Sequence, residues 1–188
     1  LASLHSIKSA RYGFVKDNFI GKLPQYNNTQ GESLDWPSYF WKYRLLPQLR
    51  MAVSGGYYTP AILNQESSVY PYLNDLHQDD PWLIEARLIH GDLWSGNYIM
   101  SSTGAFLIDP ATSYGHPWMD LAMTQLFGGF TPEFYQQYGK SINIGPIKDT
   151  LIKAEFYQVY YLLAHLNMFG RTYKNACDRL LSRASVLR

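Results

Sequence analysis

Cysteine is almost missing from this 188-residue chain: Cys177 stands alone, which excludes an internal disulfide and a cysteine-built zinc site. One unbridged thiol fits a reducing, cytoplasmic setting. No apolar run approaches the roughly 20 residues of a membrane span. The opening Leu1-Ala2-Ser3-Leu4-His5 lacks the charged and apolar regions of a secretion signal. It also lacks methionine, so a start that is not the natural one is expected. Neither sign of charge forms a block, and the net charge is +1, which argues against a nucleic-acid or membrane-surface partner. No Gly-x-Gly-x-x-Gly occurs; Gly55-Gly56 and Gly128-Gly129 are isolated pairs. The last absence is local. Between Arg87 and Lys140 there is no Lys or Arg, yet the stretch carries Asp92, Asp109, Asp120 and Glu133.

That base-poor stretch holds the densest chemistry. His90-Gly91-Asp92-Leu93-Trp94-Ser95-Gly96-Asn97 is followed by Leu107-Ile108-Asp109-Pro110. An Asp, an Asn five residues on, and a second Asp closing a short apolar strand are how kinase-type phosphotransferases place a base and two metal ligands. Leu88-Ile89-His90 reads as a strand end, and Gly91 and Gly96 bracket a tight loop. Asn97-Tyr98-Ile99-Met100 and Ala105-Phe106-Leu107-Ile108, joined by Ser101-Ser102-Thr103-Gly104, read as a hairpin that returns Asp109 beside Asn97. Converging oxygen ligands suit magnesium. Carboxylates gathered without local bases repel one another unless a cation joins them, or unless bases from elsewhere or solvent separate them. The missing glycine-rich loop, and the missing lysine-bearing strand ahead of His90, point to the C-terminal lobe of a two-lobe kinase as one domain over residues 1–188.

The rest reads as mainly helical (α+β), with one small β-hairpin. Residues 1 to about 12 suggest a short helix or its end, and Phe14 to Gln30 an irregular loop or hairpin. Ser33 or Asp35 caps a helix through Trp36, Phe40, Tyr43 and Met51, kinked by Pro47. A second helix spans Val69 to Gln78, stopped before Asp79-Asp80-Pro81. His116-Pro117-Trp118 leads into a helix through Asp120, Met123 and Phe127. Pro132 starts another around Phe134 to Tyr138, and Pro146 a long one through Ile152, Phe156, Tyr160, Leu163 and Leu166.

With these residues assembled, the chain resembles the fructosamine (ketosamine) kinase family, a branch of the aminoglycoside-phosphotransferase and protein-kinase-like superfamily. The matching strings are Leu1 to His5, Asp17-Asn18-Phe19-Ile20-Gly21 with Pro24-Gln25, and His90 to Asn97. They continue with Asp109-Pro110-Ala111, Tyr114-Gly115-His116, Asp120-Leu121-Ala122-Met123, Leu126 to Phe130 and His165-Leu166-Asn167. The resemblance begins after the family's N-terminal lobe, and Trp94 between Asp92 and Asn97 marks this branch among related kinases. It implies a protein-kinase-like C-terminal helical lobe with a small catalytic β-hairpin, the N-terminal β-rich lobe being absent. It implies ATP-dependent phosphorylation of a sugar hydroxyl of a fructosamine or ribulosamine, free or protein-bound, so that the adduct falls apart and the amine is recovered.

Carried over by position, Asp92 is the catalytic base, and Asn97 and Asp109 hold Mg2+ and, with it, ATP. Trp94, Asn18 and Gln25 are substrate-side candidates, with Trp94 as readily a wedge in the loop. His90 and Asp120 support the catalytic loop, Asp120 by accepting backbone N–H bonds. Two rivals stand beside this reading: a related kinase of an aminoglycoside, choline or homoserine, and a non-catalytic, pseudokinase-like binding module. The lobe by itself is expected to be inactive, and its surface toward the missing lobe to expose apolar groups that promote self-association.

Overall fold

The computed structural model describes residues 1–78, 80, 85–143 and 147–186. The expected helix stop at Asp79 and Pro81, and the expected helix start at Pro146, lie outside them. A short α1 (Ala2–His5) precedes β1 (Lys8–Ser9). The segment read as loop or hairpin is a hairpin, β2 (Asn18–Ile20) with β3 (Leu23–Gln25). Asp35 then caps α2 (Trp36–Phe40): its side chain accepts the Ser38 amide at 2.9 Å, with Pro37 in the first turn. Just ahead of Pro47 a π-helical turn, Trp41–Leu45, interrupts the helix before α3 (Leu46–Ser54). Pro47 has no N–H for the Tyr43 carbonyl, and the Arg44 guanidinium donates to that oxygen instead at 3.0 Å.

The next helix, α4 (Glu66–Leu76), starts three residues before Val69. After β4 (Ala86–Ile89) come the hairpin strands β5 (Tyr98–Ser101) and β6 (Gly104–Leu107), then β7 (Ser113–Gly115). The remainder is helical: α5 (Trp118–Leu126), α6 (Pro132–Ile142), α7 (Ile147–Ala154), α8 (Gln158–Phe169) and α9 (Lys174–Arg183). The single long helix expected through Leu166 is two, α7 and α8, divided by a 3-10 turn at Glu155–Tyr157. Phe156 and Tyr157, both in that turn, are fully buried.

The single β-hairpin read from the sequence is one of three small sheets among the described residues. The unforeseen one orders β1-β4-β7, antiparallel, with Lys8 opposite Arg87 and Ile89 opposite Ser113. Strands of two to four residues are too short to show alternation, so only tertiary pairing reveals them. This sheet sets the end of β4 beside the start of β7, and so fixes both the loop after Ile89 and the approach to α5. Behind it lies α8, whose Val159 to Ala164 run is buried on every side against α3, α5 and α9.

A buried hydrogen-bond chain ties α2, α4 and the 3-10 turn together. Trp36 Nε1–H donates to the Tyr157 hydroxyl at 2.6 Å, and that hydroxyl lies 2.5 Å from His77 Nε2. Having accepted from Trp36, Tyr157 donates to His77, whose Nδ1–H then reaches Asp80 Oδ2 at 2.7 Å. His116 Nε2 lies 3.0 Å from the same oxygen, although its N–H is not aligned on it. Burial, and then His77, push the His116 imidazole down to about 4, so it is neutral near pH 7. Three metal-ligand atoms thus lie within 4.8 Å of one another. Because His116 Nδ1 accepts the Trp118 amide at 3.2 Å, however, its proton sits on the nitrogen facing Asp80, where a cation would have to bind. Tyr157→Phe leaves Trp36 Nε1–H and His77 Nε2 without partners while keeping the ring. It should cost about 1–3 kcal/mol for each orphaned group, read as a lower midpoint with unchanged slope in urea unfolding.

Candidate active site

The loop from His90 to Asn97 takes its shape from Asp120 in the first turn of α5. The two Asp120 oxygens accept the backbone amides of His90 and Gly91, each at 2.8 Å, and His5 Nε2 lies 3.0 Å from Oδ2. Burial alone would raise this carboxyl's pKa. The His5 hydrogen bond and charge, with the two amides, reverse that and hold it below the usual carboxylate range. His5 Nδ1 in turn meets the Tyr138 hydroxyl at 2.6 Å, so α1 and α6 back the same carboxylate. Gly91 is required here. Its φ is +83°, and a Cβ would stand 2.1 Å from the Ala111 carbonyl oxygen. His90 braces the loop from inside: its Nε2–H donates to the Ile108 carbonyl at 2.9 Å, and its Nδ1 accepts the Asp92 amide at 3.3 Å.

The β5–β6 hairpin pairs Tyr98 with Leu107 and Ser101 with Gly104. The ladder runs one step further, the Ile108 amide donating to the Asn97 carbonyl at 3.0 Å. That step puts Asp109 beside Asn97. The buried Asn97 amide Nδ2 donates to the Asp92 carbonyl at 2.8 Å, lies 3.2 Å from Asp92 Oδ2, and 3.5 Å from the Asp109 carbonyl. With Nδ2 so committed, its Oδ1 remains as an acceptor toward a cation. Asp109 sits at φ +49°, a left-handed conformation that Asp tolerates at some cost, and its side chain is exposed. Asp92 lies half-buried, and its carboxyl is pushed up to about 6. Burial is the largest cause, and the negative charges of Asp120 and Asp109 reinforce it against the Asn97 hydrogen bond.

Asp92 opens onto a cavity of about 660 Å³ shared with Trp94, Phe127, His165, Phe169 and Tyr173. The Trp94 ring crosses Gly96, where a Cβ would fall 2.3 Å from the indole, so Gly96 allows the ring to lie flat along the loop. Asn18 and Gln25, expected on the substrate side, do not line this cavity. Asn18 Nδ2 donates to the Thr112 carbonyl at 2.7 Å, and Gln25 Nε2 to the Ala111 carbonyl at 2.9 Å. Tyr160 donates to Gln25 Oε1 at 2.8 Å. Both amides therefore staple the β2–β3 hairpin onto the segment just after Asp109.

Sequence reasoning missed the anchor behind them. Arg44 is buried and donates to the Tyr26 carbonyl, Asn27 Oδ1 and Ser113 Oγ at 2.7, 3.1 and 3.1 Å. Asn27 passes the restraint to Asn18 at 3.0 Å. An Arg inside an apolar helical stripe was the available signal, since it needs partners once buried. His5 gave none, because its partner is 115 residues away.

An Asp lining a cavity, with an Asn and a second Asp delivered by a hairpin and set among helices, is an arrangement of the kind that kinase-like phosphotransferases use. The sequence profile described as fructosamine kinase matches residues 1–186. A probable ketoamine kinase of Enterococcus faecium is 42% identical over 183 residues, covering 96% of this chain and 63% of that protein. Mouse ketosamine-3-kinase is 32% identical, covering 93% of this chain and 54% of its own length. A crystal structure assigned to fructosamine-3-kinase from Thermobifida fusca superposes with a TM-score of 0.78 at 30% identity, over 99% of this chain and 62% of that one. The chain belongs to the fructosamine kinase family, and it spans about three-fifths of the length of the relatives it matches.

The buried Asp120 carboxylate has a folded pKa below its unfolded value. Its contribution to stability is therefore complete above about pH 4 and is lost as pH falls through the depressed value. Asp120→Asn sets an amide against two backbone donors and should cost about 3–5 kcal/mol. It should also flatten the acid limb of a plot of urea midpoint against pH.

Proposed function

We propose that this chain is the acceptor-side lobe of an ATP-dependent ketosamine kinase that phosphorylates a sugar hydroxyl of a fructosamine or ribulosamine, destabilising the adduct so that the amine is recovered. One observation carries the reading: Asp92, Asn97 and Asp109 meet through the Asn97 amide at the mouth of a cavity large enough for a sugar derivative. The donor set at its edge is hard oxygen, an exposed carboxylate beside a free amide oxygen, which fits magnesium better than a softer metal. Asn97 and Asp109 would hold that ion, whose part is to neutralise charge on the phosphoryl group being transferred. Asp92 does the proton work. It receives the hydrogen bond of the acceptor hydroxyl, orients its lone pair, and takes its proton as the oxygen commits to phosphorus. A carboxyl near pH 6 is better matched to that task than an ordinary one. In a loose transition state most of the rate comes from position and charge, which is why the loop is over-determined by Asp120, His90 and Gly91.

What grips the nucleotide is supplied elsewhere. Lys22 is the basic residue among those lining the cavity, and the sequence has no glycine-rich loop. The β5–β6 ribbon leaves Ile99, Met100 and Phe106 more than half exposed, a surface suited to packing against a second lobe. The chain alone should self-associate through it, so sedimentation velocity should show a concentration-dependent dimer that Met100→Lys with Phe106→Lys abolishes.

The test of function is ADP release from magnesium-ATP with a ribulosamine or a fructosamine. It is run on this chain and on the chain completed with the part of a longer relative that it does not span. The chain alone should turn over negligibly. The completed protein should need a ketosamine and should lose about 10²–10⁴-fold in rate in Asp92→Asn. Turnover of an aminoglycoside, choline or homoserine in place of ketosamines would reassign the acceptor. No turnover of any acceptor by a folded, completed protein would favour a binding module.

A further inference from the structure

The cavity is larger than the sugar it would have to hold, and its far wall is unlike a sugar site. Sugar recognition needs polar partners for several hydroxyls. Beyond Asp92 and Trp94, this wall is a run of rings carried by the end of α5, by α8 and by the start of α9. Phe127 lies edge-on to Trp94 at 6.4 Å between centroids and 5.0 Å from His165. His165 is 5.4 Å from Phe169 and 5.1 Å from Tyr173. Partial burial lowers the His165 pKa, so near pH 7 it adds no positive charge to the wall. The rings are not core. Phe169 is 63% and Phe127 43% exposed, on one face and toward the cavity. The charged groups lining that space are Asp92 and Lys22, the latter on the β2–β3 turn.

We propose that this ring wall binds the amine-derived part of the acceptor and selects an uncharged aromatic or aliphatic substituent on the ketosamine nitrogen. The inference rests on the ketosamine reading above. In a ketosamine the nitrogen sits on the carbon next to the ketone carbonyl, within a few bonds of the hydroxyls. A sugar with its reacting hydroxyl at Asp92 therefore has its amine substituent in the remainder of the same cavity. The secondary ammonium is suited by the Asp92 carboxylate and by the ring faces. The substituent beyond it meets mainly ring and aliphatic surface, and covering that surface is favourable in proportion to area. A small or acidic substituent leaves the rings wet.

Isothermal titration of the protein with ribulosamine adducts of phenethylamine, methylamine and glycine tests this. The phenethylamine adduct should bind about 10-fold or more tighter than the methylamine adduct, with the glycine adduct no tighter than the latter. Phe169→Ala and Phe127→Ala, at exposed positions where the fold does not depend on the ring, should each bring the ratio below about 3-fold. Equal affinities for the phenethylamine and methylamine adducts, or a preference that survives both substitutions, would overturn the assignment and leave the ketosamine reading standing. No binding of any adduct would instead bring down the ketosamine reading, and this one with it.

Discussion

An ionised carboxylate with no solvent contact is a severe constraint, because it is tolerated only where nearly every lone pair is occupied. Asp120 meets that condition through elements distant in sequence: the amides of His90 and Gly91, and the ring of His5. Its bonds are directional, so the same requirement that keeps it charged fixes where the loop after β4 begins. It also fixes how α1 sits, and through Tyr138 where α6 packs. The loop's shape is thus a consequence of burying one charge, and the position of Asp92 follows two residues later.

Asp109 is held by opposite means. Its side chain is exposed and its backbone is strained, so nothing near the carboxylate itself fixes it. The restraint is applied to its neighbours instead. The Ile108 amide pairs with Asn97 on one side, and Ala111, Thr112 and Ser113 are held by Gln25, Asn18 and Arg44 on the other. Leaving a carboxylate free while pinning the backbone around it suits a ligand that must bind and release a hydrated cation with each turnover. Arg44 can serve as the distant anchor because Pro47 frees the Tyr43 carbonyl for it, so an irregularity in a helix becomes part of the support for the site.

How much of this was legible in the sequence divides by range. The hairpin and the return of Asp109 beside Asn97 rest on contacts 12 residues apart or closer, and the Ser101-Ser102-Thr103-Gly104 link announces them. The Asp35 cap was equally local. What escaped detection depends on remote partners. The β1-β4-β7 sheet consists of strands too short to alternate, and the partition of α7 from α8 carries neither Gly nor Pro. Asn18 and Gln25 show the same limit in the site itself. Their proximity to the chemistry could be inferred from motif resemblance, but which way an amide points is decided by the carbonyls it meets.

Three aspartates within thirty residues, with no base between them, end up in three different electrostatic situations. Asp120 is kept charged by donated hydrogen bonds and sits below the ordinary range. Asp92, flanked by the other two, is pushed upward. Asp109 is exposed, next to Asn97. On the proposed reading, one residue type would serve as scaffold, as proton acceptor and as cation ligand, because burial and donor supply differ among the three. The base-poor stretch is what keeps these roles apart. A Lys or Arg among them would pair with Asp92 or Asp109, lowering the first below a useful basicity and occupying the second. On the proposed function, positive charge for the phosphates would have to come from outside the stretch, and the same carboxylates would make this surface an acceptor side rather than a nucleotide site.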